Sequence, residues 1–306
     1  MRILTLVTND HAGFFRQQVA GVRARGHAVD VLAVPGYSKE VDRGVPTYAR
    51  YYLRALRRSV RGYDVVHANY GLTAPPAIAQ VRLPVVLTLW GSDLMGKYGR
   101  VSRLCARFAD EVVVMSEEMA DAVAGDCHVI PHGVDLDLFR PIPRETACQQ
   151  LGWDPDVRHV LFPYDPSRTV KDFPRAERIV ARVDSTSVEP VELHTVSGVD
   201  HDRMPLYMNA ADAMVLTSKR EGMPNTVKEA LACNLPVVAT DVSDLATLLA
   251  PASHSVVDDD DDVLVETLRT VLGRGGRSNG RTVVEPMGVE AQLDKLEAVY
   301  RSAVSR

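Results

Sequence analysis

The chain has 306 residues, 46% of them hydrophobic and 25% charged, with a net charge of −5; that is a length for two α/β domains of roughly 150 residues each. The mildly acidic balance argues against non-specific nucleic-acid binding, no run approaches the roughly 18 apolar residues of a membrane span, and the apolar run 3–7 is too short for a signal-peptide core. Cys105, Cys127, Cys148 and Cys233 form no Cys-x-x-Cys pair, so they read as small buried residues in a reducing, cytoplasmic compartment rather than as zinc ligands or a disulfide framework.

In chain order, short aliphatic runs predict strands over 2–7, 28–33, 65–68, 85–89, 111–115 and 128–130, with helices between them over 14–25, 48–60, 73–80, 100–108 and 117–124. Strands alternating with helices mean a parallel sheet with right-handed crossovers. Pro131, Pro141 and Pro143 then punctuate the chain and mark a domain boundary. The alternation restarts with strands over 159–162, 191–196, 213–217, 236–240 and 255–257, and helices over 174–183, 204–209, 225–233, 263–272 and 289–304. The expectation is two doubly wound Rossmann-like domains, 1–140 and 141–285, facing each other across a cleft. A terminal helix in 286–306 is expected to pack back toward the first. Ligands of such sheets sit at the carboxyl ends of the strands.

Two features invite over-reading. Asp258 through Asp262 could be a metal-binding cluster, but they precede an apolar-periodic helix, where acidic residues cap the N-terminus and interact favourably with the dipole. The glycines of 273–280 follow a helix and lack the strand–turn–helix context of a dinucleotide fingerprint, so they read as a loop.

The informative segment is 204–245. A strand ends near Thr217, a loop carries Glu221, Gly222 and Met223, and Pro224-Asn225-Thr226 opens a helix that contains Glu229. Pro and Asn suit a helix start, whose free N–H groups form an anion site. The loop Glu can reach sugar hydroxyls and the helix Glu a ribose diol. Upstream, VLFPYDPSRTVK (160–171) ends a strand in a loop with Arg168 and Lys171.

The run EGMPNTVKEALACNLPVVATDV, with seven residues between Glu221 and Glu229, resembles the retaining glycosyltransferase family 4, in the form found in capsule and teichuronic-type polysaccharide enzymes. The resemblance covers nearly the whole chain and is sharpest after Met204. It implies a GT-B fold and a retaining transfer of a hexose-type sugar from a nucleoside-diphosphate donor to a glycan, lipid-linked or small-molecule hydroxyl. It also implies Arg168 and Lys171 on the donor diphosphate, where leaving-group charge develops. These cations and the helix N-terminus take the place of a metal, so no cofactor is expected. In the first half, the resemblance puts the Gly13 loop opposite the donor diphosphate and His67 and Trp90 at strand ends on the cleft. Many members carry His where this chain has Trp90. Trp90 keeps the backbone carbonyl and one indole N–H donor but cannot accept a proton. Asp93 is assigned near the acceptor hydroxyl, with a helix cap as its alternative. A nucleotide-sugar epimerase and a catalytically silent nucleotide-sugar-binding subunit remain as other readings.

Between Arg43 and Arg61 lie six arginines and no acidic residue. A helix there, with Tyr52, Leu53, Leu56 and Val60 near one stripe, could lie on an anionic bilayer at the inner face of the membrane or pack on the sheet as an ordinary crossover helix.

Overall fold

The structure, a computed structural model, describes residues 1–36, 43–123 and 125–306. It forms two compact units, residues 1–133 with 289–306, and residues 134–288. The chain therefore leaves the first unit at Gly133 and returns to it at Val289, instead of dividing at 140 and 285.

The first unit holds β1 (Arg2–Val7), α1 (Gly13–Ala24), β2 (Ala28–Ala33), α2 (Val45–Ser59), β3 (Val65–Asn69), α3 (Ala74–Ala79), β4 (Val85–Thr88), α4 (Gly99–Ala106), β5 (Glu111–Val114), α5 (Glu117–Asp121) and β6 (His128–Val129). Its six strands are all parallel, in the order β2-β1-β3-β4-β5-β6. β3, β4 and β5 are buried along their whole length, as strands covered on both faces must be, and that is why valine and leucine dominate them, with His67, Asn69, Thr88 and Glu111 as buried polar exceptions.

The second unit holds α6 (Arg144–Leu151), β7 (Arg158–Phe162), α7 (Phe173–Asp184), β8 (Val191–Thr195), α8 (Met204–Ala210), β9 (Ala213–Leu216), α9 (Asn225–Ala232), β10 (Val237–Ala239), α10 (Leu245–Leu249), β11 (Val256–Val257), α11 (Asp261–Arg274) and α12 (Gly280–Val284). Its parallel sheet runs β11-β10-β9-β7-β8. The core packs Val160, Phe162, Met214, Leu216, Leu231 and Val238 around the central strands, all fully buried. The last helix, α13 (Val289–Ser305), belongs to the first unit, where it packs on α1, β3, β4 and β5.

Several elements differ from the sequence expectation. α6, α10 and α12 are short helices with weak periodicity, hidden among prolines and glycines. The helix expected over 73–80 is a 3-10 turn, Gly71–Thr73, followed by α3. The helix expected over 117–124 ends at Asp121, and Ala124 lies outside the described residues. The aspartate run does start a helix: the Asp260 carboxylate accepts from the Asp262 N–H at 2.8 Å. Asp261 and Asp262 also bind Arg175 and Arg182 of α7, at 2.7 and 2.6 Å.

Candidate functional site

In the second sheet the strand order reverses between β7 and β9, so the loops after these two strands flank the topological switch point where such sheets bind ligands. The β7 loop carries Tyr164, Arg168 and Lys171; the β9 loop carries Thr217, Ser218, Glu221 and Gly222 and runs into α9. The Thr217 hydroxyl donates to the carbonyls of Lys171 and Asp172, each at 3.0 Å, and the Lys219 N–H donates to the Val170 carbonyl at 2.9 Å. Asp172, at φ +50°, turns the β7 loop back into α7. The two loops are thus one hydrogen-bonded structure.

Their side chains meet at its centre. The Lys171 ammonium, only 4% exposed, pairs with Glu221. It also stands 3.5 Å from the centroid of the Tyr164 ring, a cation–π contact. Ser218 donates to the same Glu221 carboxylate at 2.6 Å. Burial lowers the lysine pKa, against the raising influence of Glu221. Arg168 is exposed, with its guanidinium 5.9 Å from the Tyr164 ring. The Tyr164 hydroxyl bonds Thr226 in the first turn of α9, and the Ser243 hydroxyl donates to the Gly222 carbonyl. Met223 packs against the core, Pro224 is buried, and the buried Asn225 Oδ1 has no hydrogen-bond partner.

One turn along α9, the His201 Nε2 bonds Glu229 at 2.9 Å, and that bond raises the histidine pKa. Beside Glu229, burial depresses the Lys228 ammonium to about 7. The structure thus brings Arg168, Lys171, Glu221, Gly222, Asn225, Thr226 and Glu229 to one end of one sheet. Sequence reasoning overlooked Tyr164 and His201. Tyr164 stood at a strand end inside the quoted motif, a position where an aromatic can floor a cation, whereas nothing local marked His201, which meets Glu229 only through the fold.

The first sheet reverses order between β1 and β3. Gly13 begins α1 directly after the β1 loop, with open space where a Cβ would stand. Trp90, after β4, sits in an aromatic cluster with Phe14 (4.8 Å, edge-on) and Tyr70 (5.8 Å), while Phe14 stacks on His132 at 3.9 Å. The Trp90 indole N–H is buried without an acceptor.

Two expected acceptor residues are corrected. His67 lies within β3, not at its end; it is fully buried, bonded at 2.7 Å to both the Tyr300 hydroxyl and Thr88. Desolvation pushes its pKa down to about 3. It is a neutral core histidine that no acceptor can reach. Asp93 is also fully buried, and its carboxylate accepts from the N–H groups of Gly71, Trp90 and Gly91 at 2.8, 2.9 and 3.0 Å. Gly91 is at φ +114°, open to glycine, and Tyr70 is strained at φ +94°, so this carboxylate holds two loop ends together instead of contacting an acceptor. Burial raises its pKa, and the three N–H donors oppose that rise.

The arginine-rich helix is corrected in part. α2 turns Tyr51, Ala55 and Ser59 to the sheet, not the stripe of Tyr52, Leu53, Leu56 and Val60. Arg43 is engaged with the carbonyls of Gly36 and Thr8, at 3.0 and 2.8 Å. Among the described residues, no helix is long and apolar enough to cross a membrane.

A doubly wound pair of units with cations, carboxylates and a helix start at one switch point defines a GT-B-type glycosyltransferase. Residues 5–138 match the family model described as Glycosyltransferase Family 4, and residues 173–274 match Glycosyl transferases group 1. The chain thus carries a glycosyltransferase family 4 domain followed by a glycosyl transferases group 1 domain. It is 27% identical to the teichuronic acid biosynthesis glycosyltransferase TuaC of Bacillus subtilis, over 71% of this chain and 68% of that one. It is 25% identical to the MMP alpha-(1->4)-mannosyltransferase of Mycolicibacterium hassiacum, over 86% and 77%. In fold it is similar to sucrose-phosphate synthase of Thermosynechococcus elongatus, with a TM-score of 0.79, 18% identity and full coverage of both chains. It is also similar to Anabaena HepE, solved in complex with UDP and glucose, with a TM-score of 0.69, 16% identity and coverage of 99% and 100%.

Proposed function

We propose that this glycosyltransferase is retaining and metal-independent, and that it moves a hexose-type sugar from a nucleoside-diphosphate donor, without a cofactor, to a hydroxyl of a glycan, a lipid-linked glycan or a small molecule. The buried Lys171–Glu221 pair beside the start of α9 carries the reading. A buried cation and carboxylate that neutralise each other are set for exchange. The donor diphosphate takes Lys171 and Arg168, and the sugar hydroxyls take Glu221. The α9 N-terminus adds N–H donors for the phosphates, and Glu229 holds the ribose. The acceptor oxygen bonds the anomeric carbon as the carbon–phosphate-oxygen bond breaks on the same face, and the leaving phosphate takes the hydroxyl proton. No side-chain base is needed; catalysis is orientation plus support of the leaving charge. In the first unit, the Trp90 N–H and the Gly13 loop are assigned to ligand contact. HepE, crystallised with UDP-glucose, supports a nucleotide-sugar donor for the shared fold.

Titration calorimetry with nucleoside diphosphates tests the grip. Arg168→Ala, an exposed change, and Lys171→Ala should each weaken binding by about 1.5–3 kcal/mol. Unchanged affinity in both removes the diphosphate from this site. Slow release of free nucleoside diphosphate from a nucleotide-sugar panel is expected. Tight binding without release favours a silent binding subunit.

A second observation supports docking of the first unit on an anionic membrane. α4 turns Val101 (40% exposed) and Leu104 (57%) to solvent, with Phe108 (65%) just beyond its end. Lys97, Arg100, Arg103 and Arg107 surround them, and no acidic residue falls between Asp93 and Asp110. α3 packs against both α4 and α2, and α2 exposes Arg50, Leu53, Arg54 and Arg57. Exposed aliphatic and aromatic groups ringed by cations suit a bilayer headgroup boundary. A membrane-linked acceptor would be presented there.

A further inference from the structure

Away from the carboxyl end of β7, the face of β7 and β8 under Trp153 carries a second chemical cluster. Glu192 and His194 stand two apart on β8, so both point to one face. His159 pairs in register with Glu192 and shares that face. Three donor atoms converge: His159 Nδ1 is 2.9 Å from His194 Nε2, which is 3.4 Å from Glu192 Oε2, which is 3.9 Å from His159 Nδ1. Among the described residues this is the one group of three such side chains within ligand reach of one another.

The geometry is that of a coordination set. The circumradius of a triangle with these sides is about 2.0 Å, the length of zinc–nitrogen and zinc–carboxylate bonds. The ligands are also oriented as metal ligands are. The second ring nitrogen of His159 faces the Asp154 carbonyl at 2.8 Å, so it carries the proton and leaves an Nδ1 lone pair aimed at the cluster. Trp153 stacks on the His194 ring at 3.8 Å and 18°, which fixes its plane. His159 is buried, His194 partly so, and Glu192 is 57% exposed, giving an ion a path in and a fourth position open to water. Without an ion, one proton between His159 and His194 does the bridging.

We infer that His159, His194 and Glu192 bind one divalent transition-metal cation of the zinc class, pinning the edge strand β8 to β7. His159 sits three residues, roughly 10 Å, before the carboxyl end of β7. The ion is therefore a structural or regulatory one, separate from the sugar-transfer chemistry and from the proposed donor reading.

Cobalt(II) titration of the full-length protein tests this directly. One equivalent should give the visible absorption of a low-coordinate cobalt centre and quench Trp153, with both signals displaced by zinc. Zinc should also raise the melting temperature. Glu192→Gln, at an exposed position, should lower affinity at least about tenfold, and His194→Gln should abolish the cobalt band. Trp153→Phe should remove the quenching but keep the band. Absence of a stoichiometric band in wild type overturns the inference, as does equal binding by wild type and a folded Glu192→Gln variant.

Discussion

Glu221 and Glu229 are alike in sequence and unlike in setting. Glu221 is held by Lys171 and Ser218, whereas Glu229 is held by His201. If the first faces the sugar and the second the ribose, their variants separate. Glu221→Ala should lower turnover of a nucleotide sugar by about ten- to a hundredfold, the loss of one or two hydrogen bonds to a charged group, with little change in free nucleotide affinity. Glu229→Ala should weaken both. Equal effects on nucleotide binding, measured by calorimetry and steady-state kinetics, contradict this division. The sequence made both carboxylates legible because their spacing and the Pro-Asn helix start are local. It misjudged His67 and Asp93 because burial is not local. His67 also makes stability depend on pH. Its folded pKa, about 3, lies below the usual value near 6.5. The unfolded chain therefore takes up a proton between these values and the folded chain does not. The contribution is intact above about 6.5 and is lost as pH falls toward 3, by up to about 1.4 kcal/mol per pH unit. The stability advantage of wild type over His67→Gln, measured by urea unfolding, should shrink accordingly between pH 6.5 and 4. A constant gap means that His67 titrates normally.

At the scale of elements, most strands were legible, since a strand buried on both faces writes itself as an aliphatic run. Helix faces were less so. The basic stretch from Arg43 to Arg61 drew attention by its charge, yet α2 buries Tyr51 and Ala55 against the sheet as a crossover helix does. The more exposed apolar stripe is on α4, where the cysteine and glycine that face inward disguise the periodicity. If α4 meets lipid, the protein should sediment with vesicles containing anionic lipid and not with neutral ones, and salt should release it. Leu104→Ser with Phe108→Ser should reduce the bound fraction at low salt several-fold, without lowering the melting temperature, since both side chains are exposed. Arg43→Glu would be a poor test because that residue holds backbone carbonyls. If wild type stays in the supernatant at low salt, the acceptor is a soluble one.

The whole molecule is an insertion, with unit 2 leaving unit 1 at Gly133 and the chain re-entering at Val289. Prolines marked the exit because they act on the local backbone. The return falls at the start of the terminal helix expected within 286–306, and the membership of α13 is decided by which surface its apolar stripe meets. The crossing itself is tight. A Cβ on Gly133 would stand 2.5 Å from the Val289 Cα, and the Gly133 N–H donates to the Gln292 side chain at 2.8 Å, which in turn donates to Gln18 at 3.2 Å. Beyond it, Leu293, Leu296, Val299 and Tyr300 are each no more than 3% exposed, and the Tyr300 hydroxyl bonds His67. At roughly 1.5–3 kcal/mol for each large apolar side chain buried, these four rival the 5–15 kcal/mol or so that holds a domain folded. Ending the chain at residue 288 should therefore unfold unit 1 and spare unit 2. Limited proteolysis of that truncated protein should leave a resistant fragment close to 134–288, and hydrogen exchange should lose protection in β1 and β3 while keeping it in β7 and β9. Slow exchange persisting in β1 and β3 would show that unit 1 stands without its last helix.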